Sequence, residues 1–254
     1  MATNPQAAQL PPLYNALAPL SSSVHQTLGL KSRTGAPFAR TLHAIPITVD
    51  EFHLVQRHYP IVFAAGQTPV PLALTSLSEG QNLFVDEAGN WRAGTYVPAY
   101  VRRYPFLLAR INPQSEELTL CFDETSEDLG ADEGEPLFKD GEATDVVKNV
   151  LEFCEQFENS MRKTQAFVQE LEKGEFLMDG EVSIQMDGMA QPAIYRGFKM
   201  ISQDKIRDLR GDQARKLIQN GMLPLMYAHL FSLSYVTDLF SQGAAKATPE
   251  KTDA

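Results

Sequence analysis

One apolar stripe along residues 142–173 constrains the fold of this chain more than any other feature. Apolar residues recur there at steps of three, four or seven, which is the spacing of one face of an α-helix. They are Val146, Val150, Phe153, Phe157, Met161, Val168 and Leu171. Thr144 or Asp145 can cap the start, and Gly174 can end the helix. Because so long an apolar face needs a second layer to cover it, we predict a helix packed across a sheet.

Short apolar segments before this helix predict the sheet. They are rich in Val, Ile, Leu and Phe, and turn residues separate most of them, as is typical of strands. They span residues 42–49, 59–64, 70–77, 82–86, 106–111 and 117–122. Asp50 can cap one helical turn through Arg57, and Pro98 suits a short helix through Arg103. Short connections favour antiparallel pairing, so we predict a curved antiparallel sheet of about six strands.

The segments after the long helix predict a smaller second β region and several helices. Residues 176–186 and 193–200 have the pattern of a hairpin with one wide turn. Helices are predicted at residues 204–209, 212–220 and 224–240. The last is apolar on nearly all sides, so it is either central or at a partner or homo-oligomer interface. The predicted class is α+β.

The ends of the chain differ in composition from the middle. Residues 1–35 are rich in Ala, Pro, Ser and Gln, which predicts that they are dispensable for folding, and the mobile arm is predicted to span residues 1–40. An alternative is that Leu10, Leu13, Tyr14 and Leu17 dock on the body. Residues 41–240 are predicted to form a single globular domain, and residues 241–254 a disordered tail.

Charge and targeting signals exclude some classes of protein. The net charge of −10 gives no basic face for nucleic acid. Nine acids and one base lie in residues 123–142, which we interpret as a solvated loop in which Leu137 and Phe138 anchor a turn. Calcium binding there is an alternative, although the EF-hand register is absent. With no basic segment before Lys31, no apolar signal region and no membrane span, we expect a cytoplasmic protein; a signal-less route to the surface would leave no trace.

The reactive residue types give no catalytic signature. Cys121 and Cys154 lie in apolar patterns and are predicted to be buried free thiols. Five histidines lack metal-ligand spacing, and nucleotide and hydrolase motifs are absent, so no metal or cofactor is expected. A non-enzymatic protein is therefore favoured, with an enzyme of unrecognised chemistry as an alternative.

The aromatic-rich segment 81–106 carries the candidate ligand-binding residues. It holds Trp91, which is the only tryptophan, and the run Arg102, Arg103 and Tyr104. Arginine forks bind carboxylate or phosphate in a bidentate way, so these residues predict an anion-binding groove. The alternatives are internal ion pairs for the arginines and a core position for Trp91. Adjacent helical residues diverge by about 100°, so one arginine should face the core and the other solvent.

Several segments resemble the SapC family of bacterial proteins. They are NLFVDEAGNW, YVPAYVRRYPF, LCFDE, EGEPLFKDG and YAHLFSL. The resemblance implies an association with the bacterial surface layer and brings no assigned active site. It favours a structural or accessory role in surface-layer assembly. The alternative is an intracellular carrier that binds a peptide or an anion beside Arg102 and Arg103.

Overall fold

The computed structural model describes residues 10–66, 68–111, 114, 117–185 and 189–247. The strands, in chain order, are β1 Leu17–Pro19, β2 Leu28–Leu30, β3 Ala44–Pro46, β4 Ile61–Ala64, β5 Pro71–Leu74, β6 Phe106–Ala109, β7 Thr119–Asp123, β8 Leu129–Ala131, β9 Glu135–Pro136, β10 Phe138–Lys139, β11 Glu142–Ala143, β12 Leu177–Ile184 and β13 Ala193–Ile201. The α-helices are α1 Phe52–Val55, α2 Ala99–Arg102, α3 Asp145–Lys173, α4 Gln203–Arg207, α5 Gly211–Gln219, α6 Met222–Ser232 and α7 Tyr235–Ala247. Mixed helices and antiparallel sheets confirm the α+β class.

The chain divides into two compact units, whereas a single domain over residues 41–240 was predicted. Unit 1 comprises Met1–Thr34 and Arg103–Gln156. Unit 2 comprises Gly35–Arg102 and Phe157–Ala254. The six predicted strands therefore do not form one sheet, since β6 and β7 belong to unit 1 and β3, β4 and β5 to unit 2.

Unit 1 is built from three small antiparallel sheets. Their strand orders are β1-β7-β6, β8-β2-β9 and β10-β11. Its core is a cluster of buried residues from these sheets and from the first turns of α3: Phe106, Phe122, Leu137, Val147 and Cys154. Both cysteines are buried free thiols, as predicted.

The structure differs from the predicted mobile arm along residues 10–34. Strand β1 pairs with β7, and β2 pairs with both β8 and β9. The buried Tyr14 hydroxyl donates a 2.8 Å hydrogen bond to the Phe106 carbonyl. Backbone N–H groups of Asn15 and Ala16 donate to the Asp123 carboxylate at 2.9 and 3.2 Å. The weak apolar pattern of this segment did not predict its strands, because pairing with a distant strand needs few apolar side chains.

The acidic segment 123–142 is more ordered than a solvated loop. Strands β8, β9 and β10 lie within it, and Arg33 and Lys31 form ion pairs with Asp128 and Glu133 at 2.9 and 2.7 Å. Leu137 is fully buried, which confirms the predicted anchor. Backbone pairing with β2 explains why so polar a sequence forms strands.

Unit 2 contains a five-stranded antiparallel sheet of order β12-β13-β4-β5-β3. The predicted hairpin is present as β12 and β13, but it is not a separate region, because Phe198 and Lys199 of β13 pair with β4. Residues 82–86 form no strand. The Asn82 side chain bonds to the Ala39 carbonyl (3.0 Å) and the Phe84 N–H (2.9 Å), and such local bonds compete with strand pairing.

Helices cover the core of unit 2. The second half of α3 contributes Phe167, Val168 and Leu171 to this core; Val168 and Leu171 belong to the predicted face, whereas Phe167 does not. The single predicted helix over residues 224–240 is two helices, α6 and α7, separated at Leu233 and Ser234. The Ser234 hydroxyl bonds to the Phe231 carbonyl there (2.9 Å), and such a side-chain bond competes with the helical pattern. Helix α7 continues through Ala247, whereas a disordered tail was predicted over residues 241–254, of which residues 248–254 lie outside the described residues.

Helix α6 is fastened to the sheet by two polar side chains. His229 Nδ1 lies 2.8 Å from the Ile61 carbonyl, and its Nε2 accepts a 3.1 Å hydrogen bond from the Ile201 N–H. Because an N–H can only donate, Nε2 is the acceptor and Nδ1 carries the proton. The Ser232 hydroxyl accepts from the Ile61 N–H at 2.8 Å. Of the helices in the described part of the chain, none has the length and apolar composition that crossing a bilayer needs.

Candidate functional site

A tight loop in unit 2 positions the only tryptophan. Val85 and Trp91 form an isolated antiparallel bridge. Between them, the Asp86 carboxylate accepts hydrogen bonds from the Asn90 backbone N–H at 2.8 Å and its side-chain amide at 3.3 Å. The backbone bond from Asn90 is the main reason that the pKa of Asp86 is lowered. The Gly89 carbonyl accepts from the Ala36 N–H at 2.8 Å, so both sides of the loop are held.

Aromatic rings form the support beneath this loop. Trp91 Nε1 donates a 3.1 Å hydrogen bond to the Tyr59 hydroxyl, which donates in turn to the Tyr96 carbonyl at 2.6 Å. The rings of Tyr59 and Phe84 lie 4.5 Å apart. Burial raises the pKa of Tyr59 to about 12, so its hydroxyl stays a donor at neutral pH. The indole is therefore fixed in orientation, although it is only half-buried.

Arg92 lies beside the indole with its positive charge uncompensated by these contacts. Its guanidinium carbon lies 4.3 Å from the centre of the Phe84 ring. The same guanidinium donates to the Leu83 carbonyl at 2.8 Å and to Gln242 Oε1 at 2.9 Å. Both acceptors are neutral, so these bonds orient the fork without neutralising it.

Two clefts meet at Phe84 and Arg92. The larger, of about 570 Å³, is lined by Leu83, Phe84, Val85, Asp86, Glu87, Asn90, Trp91, Arg92, Ala93 and Lys246. The smaller, of about 180 Å³, is lined by Arg57, His58, Phe84, Arg92, Thr95, Tyr235, Asp238, Leu239 and Gln242. A binding surface in unit 2 thus combines an indole, apolar groups, cations and carboxylates. The cations are Arg57, Arg92 and Lys246, and the carboxylates are Asp86, Glu87 and Asp238.

A buried carboxylate in unit 2 organises the segment between Tyr96 and Arg102. Glu51 Oε1 accepts from the Tyr96 hydroxyl at 3.0 Å and from the Ala99 N–H at 2.6 Å. Glu51 Oε2 accepts from the N–H and the hydroxyl of Thr48 at 3.0 and 3.1 Å. With four donors, the buried charge is satisfied and holds the start of α2 in place.

Glu51 is not among the residues predicted from the sequence, although its signal is present there. Thr48 and Glu51 have the spacing of a capping box, and the structure contains that box. The prediction that Asp50 caps this turn is therefore wrong. Asp50 instead bonds to Lys163 at 2.9 Å.

Of the four predicted ligand-binding residues, Trp91 and Arg102 lie in unit 2. The exposed Arg102 donates to the Tyr96 hydroxyl at 3.0 Å and to the Val97 carbonyl at 3.1 Å. Burial, followed by the charge of Glu51, raises the pKa of Tyr96 to about 12. Arg102 is thus held by a phenol that Glu51 keeps in position.

The other two predicted residues, Arg103 and Tyr104, lie in unit 1. Arg103 is buried, and its guanidinium carbon lies 5.8 Å from the centre of the Tyr14 ring. The Tyr104 ring lies 5.5 Å from the same ring, and burial raises the pKa of Tyr104. The predicted asymmetry of the two arginines is confirmed, since one is exposed and the other buried.

The basic and histidine residues of the clefts that sequence reasoning did not assign to a site are Arg57, His58, Arg92 and Lys246. Arg57 and His58 are neighbours, but Arg92 and Lys246 come from distant parts of the chain, and no local motif links the three positions. Burial, followed by the charge of Arg57, lowers the pKa of His58, so this imidazole is neutral at pH 7. Among the residues that the structure describes, no group of three or more His, Cys, Asp or Glu could hold a metal ion.

Comparison with known proteins gives one match. A search of curated proteins and a search of solved structures each found no match. The SapC family model matches residues 20–239 of the 254, and therefore includes most of both units. The chain belongs to the SapC family.

Proposed function

We propose that this protein is a non-enzymatic member of the SapC family with a structural or accessory role in assembly of the bacterial surface layer. The observation that carries this proposal is the family match over residues 20–239. The surface-layer role is what resemblance to that family implies.

The use of the buried ionisable groups supports a non-enzymatic role. Glu51 holds Thr48, Tyr96 and Ala99, and His229 holds two strands of the sheet. Groups saturated in this way contribute to the fold and are poorly placed to exchange protons with a substrate.

Cell fractionation and gene deletion test the surface-layer role together. We expect the protein in the surface-layer fraction, or a fragmented layer in electron micrographs of the deletion strain. A strictly cytosolic protein combined with an intact layer after deletion would contradict the proposal.

A second candidate is an intracellular carrier that binds a peptide or an anion. The cleft of about 570 Å³ beside Trp91 favours it, because the cleft pairs apolar walls with charged groups. Fluorescence of Trp91 should change when peptides or organic acids bind there. The Arg102→Gln variant tests the anion site that the sequence predicts, since it removes an exposed guanidinium and leaves Trp91 unchanged.

Helix α6 is the proposed contact for a protein partner or a second copy of the chain. Phe231 is 66% exposed, and its ring lies 5.6 Å from that of Tyr227. Exposed aromatic pairs are enriched at interfaces. Sedimentation of the wild type and of Phe231→Ser measures the effect, and a wild-type monomer at all concentrations would remove the oligomer proposal.

A further inference from the structure

The two clefts that meet at Arg92 differ in their charged groups. Arg57 and Arg92 both line the smaller cleft of about 180 Å³, with Asp238 as its carboxylate. His58 lines it too and is neutral at pH 7 because burial and the charge of Arg57 lower its pKa. Two guanidinium groups against one carboxylate leave the smaller cleft with a net positive charge.

The guanidinium groups in this cleft have no carboxylate partner within 4 Å among the described residues. Arg92 donates to a backbone carbonyl and to the Gln242 amide, both neutral acceptors. The exposed Arg57 makes no ion pair within the described ranges. Two guanidinium groups that line one small cleft without a carboxylate partner are the donors that bind an anion such as a carboxylate.

The larger cleft supplies an apolar surface directly beside this charge. Trp91 is fixed by its bond to Tyr59, and Leu83, Val85 and Ala93 line the same cleft, which Asp86, Glu87 and Lys246 also line. Because Phe84 and Arg92 line both clefts, one ligand can place an anionic group in the smaller and an apolar group in the larger. Fixed aromatic groups bind apolar groups with little loss of side-chain entropy.

We infer that the paired clefts bind a carboxylate attached to an apolar group, with the carboxylate between Arg57 and Arg92 and the apolar group against Trp91. This inference rests on the proposed binding function and specifies the ligand class of that site. Two sources share this chemistry, namely a small organic acid and the free carboxyl terminus of a peptide.

The experiment measures Trp91 fluorescence during titration with two matched pairs of probes. Hexanoate and hexanamide represent the small-acid source. N-acetyl-Ala-Ala-Leu with a free carboxylate, and the same peptide as an amide, represent the peptide source. We expect at least one acid to bind about tenfold more tightly than its amide, since charge-assisted bonds to arginine depend on the carboxylate. The acid that binds more tightly identifies the source.

Three variants locate the carboxylate. Arg57→Gln should weaken binding of the acid by about tenfold and leave binding of the amide unchanged. Because the Arg57 side chain is exposed, the substitution should not disturb the fold, so misfolding would not account for the weaker binding. Asp238→Asn should strengthen acid binding several-fold, because it removes the one carboxylate of the smaller cleft. Arg215→Gln, with the same loss of charge at an exposed site outside both clefts, should change neither affinity.

The outcomes distinguish failure of this inference from failure of the proposed carrier function on which it rests. Equal binding of acid and amide, or unchanged acid affinity in both Arg57→Gln and Asp238→Asn, would overturn the inference while the binding function survives. No fluorescence change with any probe up to about 1 mM, the weak end of specific affinity, would overturn both.

Discussion

His229 gives the most quantitative prediction, because its buried imidazole must be neutral in the folded protein. Both ring nitrogens are occupied, one donating to Ile61 and the other accepting from Ile201. Burial lowers the pKa of His229 from 6.5 to about 4. A second proton on Nε2 would face the Ile201 N–H, which is also a donor. Between pH 6.5 and 4, the unfolded chain therefore binds a proton at this residue that the folded chain does not.

The free energy of unfolding must then decrease as the pH falls through this window. Each pH unit corresponds to about 1.4 kcal/mol per proton, so His229 alone removes roughly 3 kcal/mol between pH 6.5 and 4. Well above pH 6.5, both states are neutral at this residue, and its contribution is constant. The carboxylates of Asp50 and Asp123, whose pKa values are lowered from 3.8, act mainly below this window.

Urea unfolding followed by Trp91 fluorescence measures this effect, because Trp91 and His229 belong to the same unit. Between pH 7 and 4.5, the wild type should lose roughly 2–3 kcal/mol more stability than His229→Gln, which cannot titrate. His53→Gln, which changes an exposed histidine of the same unit, should behave like the wild type. If the wild type and His229→Gln show the same pH dependence, the assigned neutral, doubly bonded imidazole is wrong.

Three further predictions concern unit 1 and the arginine pair. Deleting residues 10–34 should unfold unit 1, because it removes the buried Tyr14, whose loss alone is worth about 3 kcal/mol. Hydrogen exchange in residues 103–156 measures the unfolding, and unchanged protection there would show that residues 10–34 do not stabilise unit 1. Asp123→Asn should lower the free energy of unfolding by about 1–3 kcal/mol in chemical denaturation. The reason is that an amide NH₂ replaces one carboxylate oxygen that accepts from backbone N–H groups. Glu124→Gln, at an exposed position, should change this free energy very little. Arg103→Ala should lower the free energy of unfolding more than Arg102→Ala, because Arg103 is buried against the Tyr14 ring and Arg102 is exposed. The Arg102→Ala loss should be less than about 1 kcal/mol, and equal losses in thermal unfolding would refute the asymmetry.

Sequence reasoning succeeded where local pattern decides structure. The face of α3 and the pairing of β12 with β13 follow from periodicity and turn residues, which act over a few residues. It failed where structure depends on partners far along the chain. Strand β1 has the sequence Leu-Ala-Pro, and only its pairing with β7 makes it a strand.

The candidate site shows the same limit. Trp91 was singled out because a lone tryptophan is visible in any sequence, but Arg57 and Lys246 join its clefts only in the folded chain. Tertiary packing also determines which of the two adjacent arginines is buried. Geometry predicted that Arg102 and Arg103 would differ, and packing against Tyr14 determined which one is buried.

The interleaved order of the two units has a consequence for synthesis on the ribosome. Strand β1 emerges early, but its partner β7 lies roughly 100 residues later, which at normal translation rates is about 5–20 s. During that interval, the early segment has no native partner and its backbone groups remain available to other chains. Unit 1 can therefore close only after the chain has passed residue 123, and pausing before that point should increase aggregation of the nascent protein.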